Sequence, residues 1–171
     1  MMSGLRRIGL FLETIAFTVL VPGTVVFWLP GVILDSRKLR LPASWSAAQF
    51  AALLPLALGA AIYLRCLWEF ATRGRGIPAP IDHPKQLVVT GLYRYVRNPM
   101  YLGVLLFLVG ESLFLQYRNF FLYTMAWLLF VHLNVLFYEE PNLRRKFGSS
   151  YERYTAAVRR WVPGRKYAEA E

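Results

Sequence analysis

The chain has a single cysteine, Cys66, and two histidines among 171 residues. One cysteine excludes an internal disulfide, and no Cys/His group has metal-ligand spacing. Cys66 therefore reads as a small buried apolar residue. Charge is scarce too, at 18% of residues against about a quarter in an ordinary soluble domain. Acidic residues are the scarcer sign, ten against twenty Lys and Arg, for a net charge of +10. What fills the chain instead is apolar: 56% hydrophobic residues, 16% aromatics and a mean hydropathy of +0.36. Disorder, collagen-like repeats and a plain soluble enzyme all fit this poorly. A chain both apolar and basic points to a membrane protein whose charge is confined to certain loops. Nucleic-acid binding is the other reading of a high pI, and long apolar runs set it behind.

Crossing a bilayer core takes about 20 mostly apolar residues as a helix. Four runs qualify, over residues 8–34, 47–70, 100–116 and 119–138. They predict an all-α, polytopic bundle of about four spans in a single domain over 1–171. The first run is overlong and interrupted by Pro22-Gly23 and Pro30-Gly31, which predicts a kink or a re-entrant end. Arg6 and Arg7 ahead of it also resemble the start of a signal peptide, but no small-x-small cleavage site closes the run. The join between the third and fourth runs, from Gln116 to Asn119, leaves room only for a tight helical hairpin.

With four spans the N-terminus, the loop from Ala71 to Asn98 and the C-terminal tail share one side. Fifteen of the twenty basic residues lie there, and four (Arg37, Lys38, Arg40, Arg118) lie opposite. This is a strong positive-inside asymmetry. It predicts a multi-pass membrane protein with both termini cytoplasmic, in the inner membrane if the source is bacterial. It also makes a nucleic-acid partner an unneeded explanation of the charge. The tail itself has helical periodicity, with Leu143, Phe147, Tyr151, Tyr154, Val158 and Trp161 on one face. Gly148 is placed to end one helical piece, and Ser149 with Glu152 reads as a capping box for the next. Such a cationic amphipathic helix suits anionic membrane lipids and is also placed to roof a site at the membrane surface.

Ionisable and polar residues inside spans are expensive and mark candidate sites. Glu13, Glu111, His132 and Asn134 are of this kind. Arg65 and Glu69, four apart, are spaced to pair. Two stretches concentrate the chemistry. In the first, residues 86–103, Thr90-Gly91 reads as a turn, and Asn98-Pro99 opens a helix with Asn at the N-cap and Pro at N1. A helix start offers N–H groups to an anionic or carboxylate-bearing ligand, and Tyr93, Tyr95 and Tyr101 add aromatic faces. The second, residues 138–151, brings Glu139 and Glu140 opposite. The plainer reading is a capped helix, with acidic residues neutralising the Arg144–Lys146 run.

Arg97-Asn-Pro-Met-Tyr-Leu-Gly103 resembles the Arg-His-Pro-x-Tyr-x-Gly motif of the isoprenylcysteine carboxyl methyltransferase family of integral-membrane enzymes. Its Asn-Pro-Met-Tyr form is closer to the phosphatidylethanolamine N-methyltransferases, and Tyr138-Glu-Glu-Pro141 is similar to the acidic motif of those phospholipid enzymes. The continuation through Leu143, Phe147-Gly148, Tyr151, Tyr154, Val158, Trp161 and Pro163 follows the carboxyl methyltransferases. The resemblance covers roughly residues 85–163. It implies S-adenosyl-L-methionine as cofactor, in a cytoplasm-facing pocket roofed by the loop and the C-terminal helix. It implies that Lys85, Gln86, Leu87, Val88, Tyr93, Asn98, Pro99, Met100, Tyr101 and Glu139 line the cofactor. The reaction implied is methyl transfer to a lipophilic small molecule or lipid. If the nucleophile must lose a proton, Glu140 or His132 is the candidate base. Two positions depart from the pattern. Asn98 stands where the family has histidine, and Val131–Tyr138 holds no arginine to grip a substrate carboxylate. An amine, a phenol-like hydroxyl or another small lipophilic nucleophile thus suits the chain at least as well as a prenylcysteine carboxylate. Membrane sterol reductases, which use NADPH, share a similar C-terminal pattern, and a non-enzymatic membrane scaffold is the remaining alternative.

Overall fold

The structure, a computed structural model, describes residues 16–33, 44–73, 87 and 89–168. These are mostly helical, with no strand among the described residues. We number the helices α1 (Ala16–Val32), α2 (Ala47–Arg73), α3 (Pro99–Leu115), α4 (Arg118–Asn134), α5 (Glu140–Phe147) and α6 (Ser149–Ala157). The expected multi-helix membrane bundle is present. Two helical runs, Ala47–Glu69 and Arg118–Phe147, are long and apolar enough to cross a membrane, and α1 and α3 are shorter apolar helices. Glu13, the start of the first predicted span and the loop residues Lys85, Gln86 and Val88 lie outside the described residues.

Small residues let α2 and α3 approach closely. A Cβ built on Gly59 would stand 2.6 Å from the Gly103 carbonyl oxygen and 2.6 Å from the Phe107 nitrogen. Both neighbours are backbone, so no rotamer change relieves the clash. This is the packing expected where lipid, as apolar as the helices, supplies no hydrophobic drive between them. Polar clasps tie the far end of the pair: Gln49 donates to the Phe114 carbonyl at 3.1 Å, and Gln116 to Ser46 Oγ at 3.1 Å. Gly59→Ala is expected to cost about 1–3 kcal/mol, read as a lower melting temperature in detergent. Gly31→Ala, whose added carbon meets nothing within 4 Å, serves as the control that does not melt earlier.

Gln116, left-handed at φ 54, turns α3 into α4 within two residues. Ser112 and Thr124 then hydrogen-bond across the hairpin at 2.9 Å. Val26, Val104, Leu108 and Phe120 form the core where α1, α3 and α4 meet. Tyr63 donates to Thr18 Oγ1 at 3.1 Å and Tyr123 to the Val25 carbonyl at 2.7 Å, holding α1 to α2 and α4. Large apolar side chains such as Phe27, Trp28, Leu54, Leu64, Phe121, Leu129, Phe130 and Phe137 point outward. That band would be a liability in water and suits lipid.

The kink expected near Pro30 takes a specific form. Thr24–Trp28 is one π-helical stretch, and the Leu29 N–H bonds back to the Thr24 carbonyl. The same pattern recurs at the end of α4. Val135–Glu139 is π-helical, the Glu140 N–H bonds to the Val135 carbonyl, and Pro141 follows. In each case proline stands two residues after the π stretch. Its ring would clash with the carbonyl four residues back, and the wider turn makes room. The helix of the last predicted span continues past Tyr138, because the helical run carries on through this turn to Phe147. Gly148, at φ 51, separates α5 from α6 and serves as the N-cap of α6. Ser149 is already inside the helix, and no side chain caps α6, so the expected capping box is not formed.

Candidate functional site

Four stretches converge at one end of the bundle: the turn at 89–98, the start of α3, the α4–α5 junction and the tail after α6. The turn is built around Gly91 at φ 56, a left-handed backbone that costs other residues strain. The Glu69 carboxyl also lies against it, so a Cβ there would meet Glu69 Cδ at 2.6 Å. Glu69 pairs with Arg65 at 2.7 Å, as their spacing predicts. A short 3₁₀ turn, Gly91–Arg94, then leads into Asn98 and α3.

The tail runs back over this turn and is laced to it. The Arg97 N–H donates to the Arg159 carbonyl (3.0 Å), the Gly164 N–H to the Tyr95 carbonyl (2.9 Å) and the Tyr167 N–H to the Arg94 carbonyl (2.9 Å). Tyr154 donates to the Tyr93 carbonyl at 2.7 Å. Burial pushes the Tyr93 and Tyr154 phenols above their ordinary range, so both stay neutral O–H groups. Beneath the strap, Val89, Tyr151, Tyr154 and Val158 form a second core, with Leu87, Leu143, Phe147 and Tyr167 against it. The apolar face of the amphipathic tail is thus covered largely by the protein itself. Its arginines and lysines at 144–146, 153, 159, 165 and 166 remain exposed.

Asn98 occupies the N-cap and Pro99 the first position of α3, as the sequence predicts. The Asn98 side chain does not cap the helix, however. It donates to the Arg160 carbonyl at 3.2 Å, so it leaves the first-turn N–H groups of Met100 and Tyr101 untaken by a cap. Pro99 is buried and Met100 and Tyr101 are half-buried.

The adjacent acids have different surroundings. Glu139 Oε1 accepts from the Tyr101 hydroxyl and from Asn134 Nδ2 at 2.9 Å. Asn134 and Glu139 are five apart, a spacing that points side chains about 140° apart in an α-helix and brings them into line in a π turn. The π stretch is thus what lets Asn134 reach Glu139. Glu140 is gripped by Arg160 in a two-point contact (2.5 and 2.9 Å) and by Arg97 at 3.2 Å. The Glu140 carboxylate hydrogen-bonded to it raises the Arg160 guanidinium above its ordinary value, which keeps the pair charged. One carboxylate thereby fastens both the turn and the tail to the helix junction. His132, one helical stretch deeper, accepts at Nδ1 from the Trp161 indole N–H at 3.0 Å.

The structure therefore gathers Tyr101 with Glu139, Asn98 with the Arg160 carbonyl, and His132 with Trp161. Leu87 lies in the tail's core and Tyr93 under the strap. Arg97, Arg160 and Trp161 were not singled out by sequence as site residues. Arg97 heads the Arg97–Gly103 motif without a role being read for it, and for Arg160 the signal was that an acidic pair near a membrane mouth needs cations, which the nearer 144–146 run masked.

A family model described as phospholipid methyltransferase matches residues 47–150. The comparison with curated proteins finds no match, and the comparison with solved structures finds none either. The matched stretch runs from the start of α2 into α6 and takes in Tyr101, Asn134, Glu139 and Glu140. With well over half its length inside that match, the chain belongs to the phospholipid methyltransferase family.

Proposed function

We propose that the chain transfers the methyl group of S-adenosyl-L-methionine to a lipophilic, membrane-embedded acceptor, with the converging end of the bundle facing the cytoplasm. The observation that carries this reading is the Glu139 carboxylate, oriented by Tyr101 and Asn134 close to the opening turn of α3. The donor set suits the cofactor's chemistry. An oriented carboxylate accepts from ammonium or hydroxyl groups, and the N–H groups of Met100 and Tyr101 at a helix start suit a carboxylate. Leu87, Tyr93, Asn98 and Pro99 complete the proposed lining, with Lys85, Gln86 and Val88 from the undescribed part of the loop. When bound, the cofactor supplies an electrophilic methyl on a sulfonium sulfur. The chain's own share is to hold its groups, orient them and keep water away. The clamp of Glu140 with Arg97 and Arg160 keeps the strap closed over the turn. The exposed cations of α5, α6 and the tail support a position of this end at the cytoplasmic headgroups, where a charged cofactor would enter from water and the methyl acceptor from the bilayer. Without an arginine along Val131–Tyr138, an amine suits better than a carboxylate as the accepting group.

Thermal melting in detergent tests the reading. At a hundred times its Kd, S-adenosylhomocysteine is expected to raise the midpoint by about 5–10 °C, with no shift from NADPH. Labelled methyl should then pass from the cofactor into a total lipid extract. A shift with NADPH alone would overturn the assignment, and a shift with neither would point to a scaffold.

A further inference from the structure

His132 is the group at this end whose surroundings fix a proton. The indole N–H of Trp161 only donates, so the nitrogen it meets, Nδ1, is the bare one, and the neutral ring carries its proton on Nε2. Among the described residues the hydrogen bond to the His132 ring is the one at Nδ1, and Nε2 is not among the buried unpaired atoms, which leaves it unmet and open to its surroundings. The side chain is half-buried. It sits between the core-facing Val131 and Val135 and the outward-facing Leu129 and Leu133 of the same helix. It also lies eight residues before Glu140, which is about 12 Å along the helix. This puts an unmet N–H donor on the border with the bilayer, below the ion-pair clamp, where an unpaired donor is costly. The molecules that border it there are phospholipids, whose phosphate and ester oxygens accept hydrogen bonds.

We infer that His132 Nε2–H binds an oxygen of a phospholipid, and that Trp161 is the positioning residue that holds the ring in this tautomer. That the bound lipid is also the methyl acceptor rests on the methyl-transfer reading above. With its bare nitrogen occupied by Trp161, the neutral ring has no lone pair to take a proton. His132 is therefore a recognition donor, a different task from the proton removal that the sequence suggests.

The test uses the full chain with ¹⁵N-labelled histidine in a His83→Gln background, so that His132 alone reports. In nanodiscs of phosphatidylethanolamine the expected spectrum has Nδ1 bare and Nε2 protonated. The Nε2–H resonance should move relative to a phosphate-free, ester-free detergent. Ether-linked phosphatidylethanolamine separates the two oxygen sources: a retained shift assigns phosphate, and a lost one assigns the ester carbonyl. Trp161→Phe should give a mixture of tautomers. His132→Gln, which keeps an N–H near Nε2 and cannot act as a base, should retain at least about a third of wild-type methyl incorporation into lipid extract. His132→Leu should fall about tenfold, and both should bind S-adenosylhomocysteine like wild type. A protonated Nδ1, a resonance indifferent to phospholipid, or equal loss in the Gln and Leu variants would overturn the inference. Failure of the wild type to bind S-adenosylhomocysteine would instead remove the methyl-transfer reading, and the lipid-dependent resonance would still stand or fall by itself.

Discussion

Glu139→Gln is expected to abolish measurable S-adenosylhomocysteine binding in calorimetry while the protein stays folded. The substitution keeps the size of the side chain and removes its charge. It also turns an acceptor-only group into one that carries N–H donors, facing the Tyr101 hydroxyl and the Asn134 amide. Hydrogen bonds to a charged group are worth about 1.5–3 kcal/mol each, so losing two that the cofactor would donate to Glu139 amounts to at least about a hundredfold in Kd. Tyr101→Phe removes one donor and should cost about tenfold. Because an ionised carboxylate is costly in this half-buried place, the unliganded Gln variant should melt no earlier than wild type. Wild-type affinity in Glu139→Gln would remove Glu139 from the site.

Pro141→Ala is expected to move stability and binding in opposite directions. Proline costs about 3 kcal/mol relative to alanine inside a helix. Here it also denies the Leu136 carbonyl a partner, since that carbonyl would be met five residues on by an N–H that proline lacks. Alanine restores the N–H and lets the run from Arg118 to Phe147 close up into α-helical register. The unliganded protein should therefore melt higher, by part of those 3 kcal/mol. In that register, though, Asn134 and Glu139 diverge, Glu139 loses its second donor, and affinity for S-adenosylhomocysteine should fall about tenfold. Paired melting and calorimetry read both effects on one sample. A variant that is more stable and binds as tightly as wild type would show that the π turn is only a by-product of proline.

Much of the fold was open to a reading of the residues alone. Apolar run lengths match the four hydrophobic helices among the described residues, and the shortness of the Gln116–Asn119 join forced the hairpin. The sidedness of the arginines pointed to the end where the motifs converge. What escaped the reading shares a cause, which is that local signals were outcompeted by distant partners. The fourth apolar run ends at Tyr138, and the π turn carries the helix on past Pro141. Asn98 reads as a cap, but the tail carbonyl of Arg160 takes its amide. Ser149 and Glu152 have capping-box spacing, yet Gly148 already holds the cap position. Glu140 appeared placed for the adjacent arginines, and it is met by Arg97 and Arg160, which only the folded strap brings near.

The bond from Tyr123 to the Val25 carbonyl also bears on how the molecule is put together. Pro30 cannot supply the N–H that the Val25 carbonyl would meet within its own helix, and Leu29 already bonds to Thr24. The carbonyl's partner comes from 98 residues further along the chain. In a bilayer an unmet carbonyl is costly, so α1, made early, has to wait with that group in contact with water or a temporary partner. Only when α4 arrives does its tyrosine close the gap. The first of the described helices is thus completed late, and the α3–α4 hairpin is the surface on which it is finished.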